Sequence, residues 1–275
     1  MCHLYLVHPP GGVVGGDRLQ LDVTAGERSH SVITTPAATK FYRSDGRVAR
    51  QVQEIEARSA TVEWLPQETI VFPDAQACIA TRVKLLGQSR FIGWEVACYG
   101  RPASGLGFGK GRVAQDFELW VDEVPVVLDH LRLDGASEAM SAPYGLAGQP
   151  VLGTMIAYPA NDAVLACARG AIDAGSGVSE AFAERARPGP AVDEPAVVTS
   201  GVRAGGAMEP PAARGAKGEN APCVTVAASC VDGALVCRAV GAQADAVRRV
   251  FIEIWRGIRP AVAGREAVAP RIWAT

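Results

Sequence analysis

A mainly β fold with two helices toward the C-terminus is what this 275-residue chain predicts. Three observations carry that expectation. Apolar and polar residues alternate in short runs through the first half, Gly, Pro, Asp and Ser punctuate those runs, and helical periodicity appears only late.

The elements follow in order. Cys2, Leu4, Leu6 and His8 fall on one face of a strand, with His3, Tyr5 and Val7 on the other. His8-Pro9-Pro10-Gly11-Gly12-Val13-Val14-Gly15-Gly16-Asp17 then reads as a shaped bend, because proline fixes φ and glycine tolerates positive φ. Leu19 to Val23 alternates and stops at Gly26, and His30–Thr35, Ala60–Leu65, Arg82–Leu86, Phe91–Tyr99 and Phe117–Val121 are equally strand-like. Such spacing suits a sandwich, a barrel or a solenoid. No fixed-period repeat is visible, so a regular solenoid built on repeated motifs is not supported.

Asn161 to Ile172 predicts a short helix with Asn161 as its N-cap. The longer helix is Ala244 to Arg259: Val247, Val250, Phe251, Ile254 and Ile258 recur at helical spacing to pack on a sheet, Arg248, Arg249 and Arg256 lie elsewhere on its surface, and Pro260 is expected to end it. Between the two, residues 170–222 are rich in Ala, Gly, Pro, Glu and Arg and poor in large apolar residues, which predicts a flexible low-complexity insertion.

Composition excludes several classes. A net charge of −2 with interspersed signs offers no field for nucleic acid or an anionic membrane, and no apolar run approaches the roughly 20 residues of a membrane span. Met1-Cys2-His3-Leu4 lacks a basic stretch followed by an apolar one, so no secretory leader is expected. Seven cysteines with no C-x-x-C pair suit reduced, buried thiols in a cytoplasmic protein. The run Gly105-Leu106-Gly107-Phe108-Gly109-Lys110-Gly111 fails as a phosphate loop: Ser104 and Gly111 stand where Gly and Ser/Thr are required, and the pattern that follows is β. G-x-S-x-G, H-E-x-x-H and paired-Cys zinc spacings are absent, so no catalytic constellation emerges.

Acids inside apolar runs are the remaining signal. Glu95 lies within Phe91–Tyr99, Asp129 within Val124–Leu131, Asp17 closes the glycine-rich bend, and Glu63 precedes Trp64. A buried carboxylate needs a cation, a hydrogen-bonding shell or a polar channel. Each acid can face solvent or pair with Arg or Lys; alternatively, carboxylates along an internal passage suit a divalent ion that is held weakly and passed on.

Cys2-His3-Leu4-Tyr5-Leu6-Val7-His8-Pro9-Pro10-Gly11-Gly12-Val13-Val14-Gly15-Gly16-Asp17 resembles the opening block of the UreD family of urease accessory proteins, called UreH in some bacteria. Thr39-Lys40-Phe41-Tyr42-Arg43-Ser44, Glu63-Trp64-Leu65-Pro66-Gln67-Glu68, Gly100-Arg101-Pro102, Trp120-Val121-Asp122 and Pro270-Arg271-Ile272-Trp273-Ala274-Thr275 are similar to its later blocks, in order. The resemblance implies a single domain over 1–275 with an irregular β-helix-like fold of stacked sheets and two helices. It also implies that strands usual ahead of the Cys-His-Leu-Tyr block are lacking here, and that 170–222 is a longer insertion than usual.

The same resemblance implies a non-enzymatic scaffold that binds apo-urease and a UreF-type protein, which in turn recruits a UreG-type GTPase carrying nickel. An internal passage would conduct transient Ni²⁺, with no cofactor tightly bound. Carried over by position, its polar lining would be Asp17, Thr39, Lys40, Glu95 and Asp129. Two other readings compete: a β-helical carbohydrate-active enzyme using Glu95 and Asp129 as an acid/base pair across an open cleft, and a plain binding scaffold with no ion role.

Overall fold

A computed structural model describes residues 1–8, 11–135, 137–174 and 224–274. The chain coils. β1 (Cys2–Tyr5) leads through the glycine-rich bend to β2 (Arg18–Ala25). β3 (His30–Thr34), β4 (Thr39–Phe41) and β5 (Ala49–Arg58) follow the same course one layer on, and β6 (Thr61–Trp64), β7 (Thr69–Val71) and β8 (Gln76–Leu86) the next. β9 (Arg90–Arg101) is long enough to pair with both β6 and β7, and after β10 (Leu106–Gly107) the chain enters β11 (Arg112–Val121).

β1, β3, β6 and β9 are parallel neighbours in one sheet, and β2, β5, β8 and β11 are parallel neighbours in the other. One strand per sheet per turn is the topology of a β-solenoid. The register partners Cys2, Ser31, Val62 and Phe91 recur about every 30 residues, a spacing typical of repeat folds. The period is spatial and leaves no repeated motif, because the stacked residues differ in type.

Val13, Phe41, Val71 and Tyr99 form one such column through successive parallel pairings, and all four are fully buried. The bend therefore supplies the first turn's counterpart of β4. Its glycines let it lie directly on the next turn: a Cβ at Gly12 would collide with the Tyr42 ring and the Lys40 carbonyl, and one at Gly15 with Ser44. Residues 28–30 positions apart in the sequence thus pack against each other.

Antiparallel strands finish the coil. β12 (Val124–Asp134) adds to β11, while β13 (Val151–Tyr158) adds to β9. α1 (Asp162–Ala174) follows, and then β14 (Val224–Val231) and β15 (Ala234–Gly241) extend the first sheet in the order β9-β13-β15-β14. α2 (Ala244–Ala263) lies across the outer face of β9 and β13, burying Val247, Phe251, Ile254, Trp255 and Ile258. A Cβ at Gly153 would stand 2.7 Å from Val247 and Phe251, so glycine sets how closely α2 approaches β13.

Several expectations are corrected. β1 ends at Tyr5, so Cys2 and His8 do not share a strand face. β8 and β11 begin well before Arg82 and Phe117. β5, β13, β14 and β15, which no element predicted above covers, are full-length strands. The Asn161 side chain does cap α1, accepting from Val164 N–H at 3.1 Å, but the helix runs on to Ala174. Residues 170–174 are therefore helical, and the rest of the predicted 170–222 insertion lies outside the described residues. Pro260 does not end α2: it costs one main-chain hydrogen bond, but Val262 and Ala263 beyond it are buried, and Gly264 caps the helix in the left-handed conformation. Cys2 and Cys167 are exposed, against the expectation of buried thiols.

Candidate functional site

The interior between the sheets is not one core. On β5, β8, β9 and β11 the inward residues are those of odd number, and near the middle of each strand this parity turns polar. Gln51 and Gln53 stand between Ala49 and Ile55, Thr81 between Ile79 and Val83, Glu95 between Phe91 and Ala97, and Gln115 between Val113 and Phe117. The later strands continue the pattern with Asp129 on β12, Thr154 on β13 and Arg238 on β15. Apolar clusters flank this layer on both sides, one around Phe91, Phe117, Ile55 and Val83, the other around Phe41, Tyr99, Ile79 and Val113. A polar layer running along the solenoid axis divides two apolar cores.

Glu95 is its centre. The side chain crosses from the first sheet to the second, where Thr81 Oγ1 donates to Oε1 and Gln115 Nε2 donates to Oε2 at 2.9 Å. Thr81 Oγ1 also lies 3.0 Å from Gln53 Oε1, so two acceptors face its single proton, and Tyr99 Oη donates to Gln115 at 3.1 Å. All these donors are neutral, and Glu95 is only 8% exposed. Burial pushes its carboxyl up to about 7; the Thr81 and Gln115 hydrogen bonds pull the other way, and the charges of Asp129 and Asp116 add to the rise.

A cavity of about 750 Å³ leads to this group from the first turns. Exposed Val7 and His8 lie at its rim, Thr39 and Gln67 on its walls, and Gln51, Gln53, Glu95 and Gln115 at its polar depth. Gln51 Oε1 and Trp64 Nε1, both in residues of the wall, are buried without a hydrogen-bond partner among the described residues.

The predicted site residues separate. Glu95 and Thr39 line the cavity. Asp129 does not: Thr154 Oγ1 donates to its Oδ2 at 3.0 Å, Arg238 Nη2 donates to its Oδ1 at 2.9 Å, and it joins the layer through Thr154, which sits beside Glu95 in register. Lys40 is half-buried in β4, its carbonyl accepting from Val13 N–H at 2.7 Å, and is not in the lining. Asp17 is exposed; its carboxylate accepts from Val14 N–H at 3.1 Å and closes the bend. The structure thus brings Glu95 near Asp129 and leaves Asp17 apart. Among the described residues, no three His, Cys, Asp or Glu side chains converge as a metal site. Among the described residues, Glu95 and Asp129 do not face each other across the cavity as the carbohydrate reading requires, since Asp129 is engaged by Arg238 outside its lining.

Glu63, on the outer face beneath α2, is the contrasting acid. His30 Nε2 lies 2.6 Å from Oε1, Trp255 Nε1 donates to Oε2 at 2.7 Å, and Arg259 donates through Nε and Nη2 at 2.8–3.1 Å. Burial raises this carboxyl, but the bonds from His30, Arg259 and Trp255 together outweigh it and hold it below the ordinary glutamate value.

These features define a class: a β-solenoid whose interior is divided by a polar, acid-bearing layer reached through a cavity. Residues 1–274 match the family model described as UreD urease accessory protein. Urease accessory proteins UreD of Pseudomonas aeruginosa (37% identical), Alkalilimnicola ehrlichii (35%) and Alcanivorax borkumensis (32%) align with 100%, 100% and 99% of this chain and with 81%, 78% and 78% of their own lengths. The chain belongs to the UreD family of urease accessory proteins.

Proposed function

We propose that this chain serves the maturation of urease as a non-catalytic scaffold that conducts Ni²⁺ as cargo along the polar layer. It would bridge apo-urease and a UreF-type protein in the cytoplasm, with a UreG-type GTPase joining through the latter. The observation that supports this is the layer itself: amides, hydroxyls and two carboxylates run along the solenoid axis between apolar cores, with Glu95 at the foot of a 750 Å³ cavity. Apolar packing would be the cheaper content for that volume, since buried polar groups carry a desolvation cost. Oxygen donors of this kind hold a borderline divalent ion loosely enough to release it. In this reading Glu95 and Asp129 contact the ion within the layer and Thr39 lines the approach. Asp17 and Lys40 shape the first-turn bend beside it.

The test is urease activation with the accessory proteins co-expressed. Glu95→Gln, which keeps the size, removes the charge and retains one of the two acceptor oxygens, is expected to lower the nickel content and activity of urease by about tenfold or more. Co-purification of the complex should be unchanged. Full activation by Glu95→Gln combined with Asp129→Asn would end the passage reading and leave a scaffold without an ion role.

A further inference from the structure

The far end of the polar layer holds a cation of its own. The first sheet continues past β13 to β15 and β14, whereas the second stops at β12, so β15 overhangs the last strand that faces it. Arg238 stands on that overhang, next to Thr154 in register and on the same side as the layer. Its side chain is 52% exposed, while that of Asp129 is 15% exposed, so the guanidinium reaches from solvent to an acid that is mostly covered. Both carboxylate oxygens of Asp129 are occupied, one by Arg238 and one by Thr154. Glu95, one strand away, has no such cation among the described residues: its hydrogen bonds come from Thr81 and Gln115.

We propose that Arg238 gates the exit of the layer: it occupies the Asp129 carboxylate that a divalent cation would otherwise take, and the ion leaves only when the guanidinium swings out. A guanidinium remains charged at any physiological pH, so it competes with the ion by charge and cannot be neutralised in place. A half-exposed ion pair is weak enough to open without unfolding its surroundings. Among the described residues, the one opposite Arg238 on β14 is the small, exposed Ala227, which does not obstruct the movement. The layer then has a neutral approach of amides, an acid without a cation at its centre, and an acid with a resident cation at its end.

This rests on the passage reading but is tested apart from it. Nickel sulfate is dialysed to equilibrium against the full chain alone, and bound nickel is measured. Arg238→Gln is expected to bind Ni²⁺ about tenfold more tightly than the unaltered chain, as removal of one adjacent positive charge implies. Arg238→Lys, which retains the charge, should stay near the unaltered affinity, and adding Asp129→Asn to Arg238→Gln should abolish the gain. Unchanged or weaker binding by Arg238→Gln overturns the gate, and so does an equal gain in Arg238→Lys. Far-ultraviolet circular dichroism of each variant confirms that folded protein is compared. A failed gate leaves the Glu95→Gln activation result standing, and a failed passage shows in that assay instead.

Discussion

Glu63 and Glu95 lie on neighbouring parallel strands of one sheet and point to opposite faces. Both are buried among aromatic and aliphatic side chains. On the outer face, Glu63 meets Arg259, His30 and Trp255, and its carboxyl is held below the ordinary range. On the inner face, Glu95 meets only neutral donors among the described residues and is pushed up to about 7. The first arrangement satisfies a charge in order to fix α2 to the sheet. The second keeps a charge costly, in a polar layer at the foot of a cavity. Burial alone does not set the state of an acid in this molecule; the cation beside Glu63 and the neutral donors around Glu95 decide it.

The comparison breaks most visibly if Glu63 loses its partner. Arg259 is 1% exposed, and Arg259→Met would leave Glu63 buried with only His30 and Trp255. Orphaning a buried charge of this kind costs about 3–5 kcal/mol, read as a shift in urea midpoint. The double replacement Glu63→Met with Arg259→Met should recover much of that loss, because the pair's own desolvation disappears with it. The pH dependence follows from the sign of the shift. Glu63 is lowered from 4.5, so its contribution is complete above that value and is lost as pH falls through the folded value. Thermal melts below pH 4.5 should show a loss in the unaltered chain that Arg259→Met lacks.

Glu95 should behave in the opposite sense. Its folded value of about 7 lies above the ordinary 4.5, so between these limits the folded chain binds the proton that the unfolded chain releases. Stability therefore falls as pH rises from 4.5 to 7 and is flat above, with a total loss of at most about 3 kcal/mol. Glu95→Gln removes that slope and should be more stable than the unaltered chain above pH 7, even as nickel loading falls. A chain that gains stability while losing function would separate the two buried acids more sharply than either measurement alone.

Much of this contrast was legible in the residues, though not all of it. The acids at 63, 95 and 129 were conspicuous inside apolar runs, and α2 was readable from its spacing. The solenoid was not readable from periodicity, since columns such as Val13, Phe41, Val71 and Tyr99 repeat in space with different residue types. Gln51, Gln53, Thr81 and Gln115 were missed, yet each sits at core parity between apolar neighbours, and that break in alternation is the signal that would have found them. Glu63's partners could not be read, because Trp255 and Arg259 lie 192 and 196 residues further along the chain. The motif around Asp17 is distinctive in the sequence, and its carboxylate holds the bend that carries Val13 into its column.

Single hydrogen bonds sharpen the comparison further. Trp255→Phe removes the 2.7 Å bond to Glu63 and puts a smaller aromatic ring at a fully buried position; the lost bond to a charged group is by itself worth about 2 kcal/mol. The smallest expected effect is that of Asp17→Ala. It deletes an exposed carboxylate that accepts one main-chain N–H, so the loss in stability should be about 1 kcal/mol or less by thermal melting. Nickel loading of urease decides what this third acid is. With Asp17 outside the cavity lining, loading by Asp17→Ala should stay within about twofold of the unaltered chain, the scale of a few tenths of a kcal/mol. A deficit as deep as that of Glu95→Gln would place the entrance of the route at the bend, and would show that an exposed, hydrogen-bonded carboxylate can belong with Glu95 after all.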